Sequence, residues 1–407
     1  MNSEVLPDQK TSNELFLRAR DLLPGRSRIR FEDTHDQLPK FLERAEGCHV
    51  WDPDGNKYID LMMADGQILL GHSYDVVSQA IEEQLRQGNH FSFMHPLELE
   101  AAEIIRDLVP GAEAIWFAKS DVEVRTAIVR LAQAATGRTK ILCCSDHSHH
   151  WYSFPVARCR GCISTFSYND IRSLEKSLDP SVACVILEPV LYEEPGDHFL
   201  QQVQELCAKN GTLLIFDEFW TGFWIAPGGA QSYFGVMADL AYFSNAIANG
   251  MMLSALVGRR SLMRLLENDG FTCNTFCGDV LSFAAAEATL HELRKRDVPQ
   301  HIAHWNRALM DGYNRIAHEL NIPYTRCMGL DYRTTITFDG SVEETSEMRT
   351  LLQLELFRRG VLWNGCHNLS ASHKYKDISH VLSAYAEALS VLKCAVDAKQ
   401  VRHMIHG

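Results

Sequence analysis

Short apolar runs alternate with segments of helical period along most of this 407-residue chain. Residues 114–118 form an apolar run that predicts a buried strand. Val124, Ile128, Leu131 and Ala135 follow at three- and four-residue spacing, which predicts a helix. Residues 140–144 and 182–187 read as further strands, the second fully buried. Residues 198–209 read as a helix, and 212–216 as a strand ending at Asp217. This alternation predicts a largely parallel sheet covered on both faces by helices. Beyond about residue 300 the pattern changes. A helix over 304–320, an alternating strand over 332–338 and helices over 344–359 and 377–397 predict a separate α+β unit. Residues 50–60, with Asp54 and Gly55 as the turn, carry a hairpin pattern expected to join it. The expected division is 1–60 as the N-terminal part of a small domain, 61–299 as a large domain, and 300–407 as the rest of the small one.

Ligands in open α/β sheets sit at the carboxyl ends of strands. Polar residues follow three predicted strands: Lys119 to Asp121, Ser145 to His150, and Asp217 with Glu218. Chemistry is expected there.

Composition narrows the classes. A chain of this length with 46% hydrophobic residues exceeds one ordinary core and predicts a large enzyme-like fold. The net charge of −13 makes the chain a poor candidate for binding nucleic acid, where a basic face is expected. The first residues carry no basic segment followed by an apolar run, and no stretch reaches the roughly 20 apolar residues that span a bilayer. Twelve cysteines without a small scaffold to staple read as reduced thiols, so a cytoplasmic location is expected. The single CxxC, Cys159 to Cys162, reads as ordinary thiols or as a redox or metal pair. The chain has 12 lysines, and none lies between Lys209 and Lys295. An amine nucleophile is excluded from that stretch.

Several motifs together are distinctive. They include residues 51–60 (Trp-Asp-Pro-Asp-Gly-Asn-Lys-Tyr-Ile-Asp), Gly71-His72, Arg130-Leu131-Ala132 with Thr136-Gly137-Arg138, and Phe216-Asp217-Glu218 with Thr221-Gly222-Phe223. Gly228 to Gln231, Tyr233 to Val236 and Asp239-Leu240 extend the set. From about residue 14 to about 395 the chain resembles the class III aminotransferases, and within them the glutamate-1-semialdehyde 2,1-aminomutases. The resemblance implies the type I pyridoxal-phosphate (PLP) transferase fold, α/β with a large mostly parallel-sheet domain and a small α+β domain from both termini. It also implies a dimer with active sites at the subunit interface.

The implied cofactor site departs from the family's pattern. The Schiff-base lysine position matches Asn245, a carboxamide that is neither basic nor an amine. The phosphate-cradle position reads Ser120-Asp121-Val122-Glu123, with a carboxylate near the N–H groups that would hold an anion. The same four residues also read as a plain capping box, Ser120 at the N-cap and Glu123 at N3. Ser148 stands where an aromatic ring would cover the pyridine, with His149 beside it. Asp217 matches the carboxylate that pairs with the pyridine nitrogen, or simply caps a strand end. Glu188-Pro189 matches the family. Thr275 matches a threonine reaching the neighbouring subunit's phosphate, and Gly278-Asp279-Val280 follows where the family has Gly-Asn-Pro.

Other patterns leave alternatives open. Asp146 to His150, with Asp121 and Asp217, form either a polar loop or a pocket able to hold a divalent metal. His367 and His373 are further imidazoles in the C-terminal unit. Phe219, Trp220, Phe223 and Trp224 line a pocket or pack a core or dimer face. The expectation is a family member without Schiff-base transamination. It would act as a degenerate subunit, in a homodimer or a heterodimer with an active class III paralogue, or through a repurposed small-molecule pocket. The alternative is an enzyme that holds PLP or pyridoxamine phosphate (PMP) noncovalently, with His149 as proton carrier on a small amino or oxo substrate.

Overall fold

A computed structural model of the chain describes residues 8–23, 40–145, 162–190, 193–196, 198–267 and 278–406. The chain divides into two compact units, Met1–Tyr74 with Gln300–Gly407, and Asp75–Pro299.

The first unit opens with β1 (Arg44–Glu46), β2 (His49–Trp51) and β3 (Lys57–Asp60). Strands β2 and β3 form the expected antiparallel hairpin. Asp52 holds its turn, with Oδ1 accepting from the backbone N–H of Asp54 at 3.1 Å and of Asn56 at 2.8 Å. Gly55 sits at φ +86°, a conformation that other side chains rarely adopt.

The second unit is built on β4 (Ala114–Ala118), β5 (Lys140–Cys144), β6 (Ile163–Phe166), β7 (Val182–Leu187), β8 (Leu213–Asp217), β9 (Leu240–Phe243) and β10 (Ser254–Gly258). These make one seven-stranded sheet in the order β4-β10-β9-β8-β7-β5-β6. From β9 to β6 every pairing is parallel. Strand β10 runs antiparallel to both β9 and β4, so the sheet is mixed. Four of the five residues of β4 are only partly buried. The apolar run predicts a fully buried strand there, but β4 is the sheet edge with β10 as its one neighbour. All six residues of β7 are buried, and its two valines, Ile186 and Leu187 each contribute about 1.5–3 kcal/mol of apolar transfer.

Helix Asp121–Thr136 covers this sheet. Val124, Ile128, Leu131 and Ala132 are fully buried at helical spacing. Ser120 caps its start and Gly137, at φ +67°, ends it with an N–H to the Gln133 carbonyl.

The first unit is completed by β11 (Thr325–Leu330), β12 (Arg333–Phe338), β13 (Val361–Leu362) and β14 (Cys366–His367). Strands β11, β12 and β14 form an antiparallel sheet, and β13 joins β3 in parallel. Helices Val342–Arg358 and Tyr375–Asp397 fall where the periodicity puts them, and Val298–Glu319 begins ahead of the expected His304. Among the described residues no helix is long and apolar enough to cross a membrane.

Candidate active site

The parallel strands β8 and β9 end side by side, with Asp217 in register with Tyr242. Asp217 is fully buried, and its Oδ1 accepts from the Phe219 backbone N–H at 3.1 Å. A buried carboxylate needs hydrogen bonds and a counter-charge, because desolvation alone costs several kcal/mol. The neighbouring strand β9 supplies a hydrogen bond, and the facing helix supplies the counter-charge. The Tyr242 hydroxyl hydrogen-bonds the Asp217 carboxylate, and it accepts from Arg125 Nε at 2.9 Å. Burial, and then the Asp217 charge, push the Tyr242 hydroxyl well above its ordinary pKa, so it keeps its proton.

Arg125 is 2% exposed. Its Nη2 lies 3.3 Å from Asp121 Oδ2, one helical turn back. Its guanidinium lies 5.8 Å from the Phe219 ring centre and 5.6 Å from that of Tyr242. Burial works against its charge, but Tyr242, Asp217 and Asp121 outweigh that and raise its pKa. Sequence reasoning missed Arg125. The signal was the Asp121–Arg125 spacing inside an otherwise apolar helix face.

The helix start is closed by its own side chains. Ser120 Oγ accepts from the Glu123 N–H at 3.4 Å, and Glu123 Oε2 accepts from the Ser120 N–H at 3.0 Å and the Lys119 N–H at 3.1 Å. The capping box expected from sequence is therefore present. Val122 is half exposed. Asn245 lies two residues beyond β9 and is 7% exposed. At the same sheet end, Ser244 and Ser254 bond through their hydroxyls at 2.8 Å. Ala118, in register with Ser254, brings Lys119 to that end as well. The Lys119 ammonium lies 2.7 Å from Asp279 Oδ2 and donates to the Asp279 carbonyl at 3.2 Å. Burial alone would raise the Asp279 carboxyl, but Lys119 and Ser282 hold it below its usual value.

Glu218 has a different task. It is fully buried and accepts from Thr221 Oγ1 at 2.5 Å, from the Ala230 N–H at 2.8 Å and from the Gln231 N–H at 3.1 Å. Burial raises its pKa to about 7 against these bonds. Gly229, at φ +71°, leaves room for it: a Cβ there would come within 2.7 Å of Glu218 Oε2. Phe223 and Trp224 are buried in the same segment, and Phe223 packs on Phe243 at 5.2 Å. Phe219 and Trp220 are partly buried and meet edge to face.

Ser148, His149 and Thr275 lie outside the described residues, as do the rest of the 146–150 loop and Cys159. His367 and His373 are fully buried in the first unit. His367 bonds Thr334 Oγ1 and the Tyr385 hydroxyl through its two ring nitrogens, each at 2.7 Å, and His373 bonds Ser370.

A mixed, mostly parallel seven-stranded sheet with a carboxylate at the end of a central strand defines the type I PLP-dependent transferase fold. The PLP internal aldimine form of the FumI protein from Sphingopyxis sp. MTA144 shares it with a TM-score of 0.87 at 26% identity, over 97% of this chain and 99% of that one. The aminotransferase class-III family profile matches residues 31–161 and 163–373, and this chain belongs to that family. Glutamate-1-semialdehyde 2,1-aminomutase from Alkaliphilus oremlandii is 31% identical over 94% of this chain and 99% of its own length. The protein of the same name from Methanothermobacter thermautotrophicus is 32% identical with the same coverage. The chain is thus a class III, glutamate-1-semialdehyde aminomutase-like protein.

Proposed function

We propose that this class III family member has lost ordinary Schiff-base transamination. It serves either as a degenerate subunit paired with an active paralogue, or through a pocket put to other use. The observation that carries this reading is Asn245. By the motif resemblance it matches the family's lysine position, and it is buried just beyond the strand that pairs with that of Asp217. A carboxamide cannot form an imine or move a proton as an amine does. Lys119 reaches the same sheet end, but its ammonium is held by Asp279.

The rest of the site does not fit a covalently held PLP. Asp121 places a carboxylate in the helix turn where a phosphate would bind, and at about 4 Å such repulsion is several kcal/mol at an effective dielectric near 20. The buried Asp217 already meets Tyr242 and a cation. In the subunit form, Thr275 would serve the partner's site while this chain's own site stays unused.

The test is reduction by borohydride in the presence of PLP, followed by mass spectrometry of peptides. No lysine adduct is expected at this site, and the visible spectrum should show free PLP only. A stoichiometric adduct on Lys119, or on any lysine that responds to a substrate amine, overturns the reading. Co-expression with a class III paralogue separates the two forms: copurification supports the subunit, and an intact homodimer alone supports the reused pocket.

A further inference from the structure

We infer that Arg125 is a built-in cation that takes the place of a pyridinium beside Asp217. With Tyr242 it keeps this pocket closed to PLP and PMP alike. This rests on the reading above, but it concerns the ring end of the pocket and not the missing amine.

Hydrogen bonds and charges link these groups in a row. A tyrosine hydroxyl has one proton to give and lone pairs to accept with. Tyr242 gives its proton to Asp217 and accepts from Arg125 Nε, so the carboxylate's charge is answered by a guanidinium one residue away. The other side of that guanidinium pairs with Asp121 Oδ2 at 3.3 Å, where the side chain is 30% exposed and its charge partly solvated. The chain Asp217–Tyr242–Arg125–Asp121 is thus satisfied from the buried strand end to the helix start without an outside ion. A pyridinium entering beside Asp217 would meet Arg125 as a like charge, and its phosphate would meet Asp121.

The space is filled as well as the charge. Tyr242 is fully buried within the core cluster formed by helix Asp121–Thr136 and the sheet. Arg125 lies over both the Tyr242 and Phe219 rings. Two large side chains from elements far apart in sequence occupy the gap between helix and strand ends. Close-packed interiors do not yield such volume to a ligand without losing these contacts.

PMP is the proper probe because it carries its own amine and needs no lysine. Its binding to the full chain is measured by fluorescence titration and by the shift in melting temperature. Four proteins are compared: the wild type, Asp121→Gly, Arg125→Ala and the Asp121→Gly/Arg125→Ala pair. The wild type and Asp121→Gly should show no saturable binding. The pair should bind saturably, at least about tenfold tighter than the weakest affinity the titration can detect for those two, the change expected when about 1.4 kcal/mol of charge opposition is removed. Binding by the wild type overturns the inference. So does binding restored by Asp121→Gly alone, which would confine the block to the phosphate end. If the Arg125 variants fail to fold, the Asp121→Gly result decides: continued exclusion of PMP supports the plug. PMP bound by the wild type with no PLP adduct on any lysine would sink the plug and leave the proposed loss of imine chemistry standing, whereas a PLP adduct on a lysine of this pocket would overturn both.

Discussion

Removing Arg125 should cost far more than a surface charge would. The perturbation is Arg125→Met, which keeps much of the apolar stem and deletes the guanidinium. Asp217 is then left fully buried with the Tyr242 hydroxyl and the Phe219 N–H but without the guanidinium charge. Breaking a buried pair from one side typically costs about 3–5 kcal/mol, because the other charge stays behind uncompensated. Asp217→Asn should cost less, about 1–3 kcal/mol, since Arg125 keeps Asp121 at 3.3 Å. In the double variant the orphaned charge is gone, so the losses should fall short of additivity by at least about 1.5 kcal/mol. The assay is thermal unfolding of the four proteins of this cycle, followed by the tyrosine and tryptophan signal of the second unit. A unit of this size loses roughly 2–4 °C per kcal/mol, so Arg125→Met should melt roughly 6–20 °C below wild type. Additivity within about 0.5 kcal/mol would mean that Arg125 and Asp217 do not feel each other, and the charge argument would fail.

Acid should unfold the first unit early. Burial holds His367 near a pKa of about 3 and His373 near about 4, below the ordinary 6.5. Their contribution is present above pH 6.5 and is lost as pH falls toward the folded values. Two such groups cost roughly 3 kcal/mol between pH 6.5 and 5. Urea melts at the two pH values should show this, and His367→Asn should remove about half of the difference. Gly229→Ala should destabilise by at least about 3 kcal/mol, because it combines a positive φ with a Cβ pressed on the Glu218 carboxylate; wild-type stability would show that this turn relaxes freely. Ser120→Ala should cost about 1 kcal/mol, the usual loss on deleting a helix cap. A neutral result in calorimetry would mean that Glu123 holds the helix start by itself.

Local signals were legible where neighbours in sequence decide the outcome. The run Val182 to Leu187 is buried on both faces, so its composition alone marks a central strand. Ser120 and Glu123 cap a helix three residues apart, and Asp54-Gly55 turns a hairpin. Edges were less legible. Residues 114–118 look like a central strand because apolar content does not say how many neighbours a strand will have. The hidden part of the candidate site depends on distance in sequence. Arg125 and Tyr242 are 117 residues apart, and only the folded sheet brings the guanidinium to the hydroxyl and so to Asp217. An arginine on a helix normally reads as a solvated position, and nothing local marks this one as buried.

Glu218 shows why family likeness and turnover can part company. Its carboxylate fastens Thr221, Ala230 and Gln231, so Phe-Asp-Glu, Thr-Gly-Phe and Gly-Gly-Ala-Gln are three ends of one knot. Untying it would loosen the chain whether or not a substrate ever arrived. Motifs of that kind persist for mechanical reasons. A likeness built on them certifies the chassis and is silent about the engine.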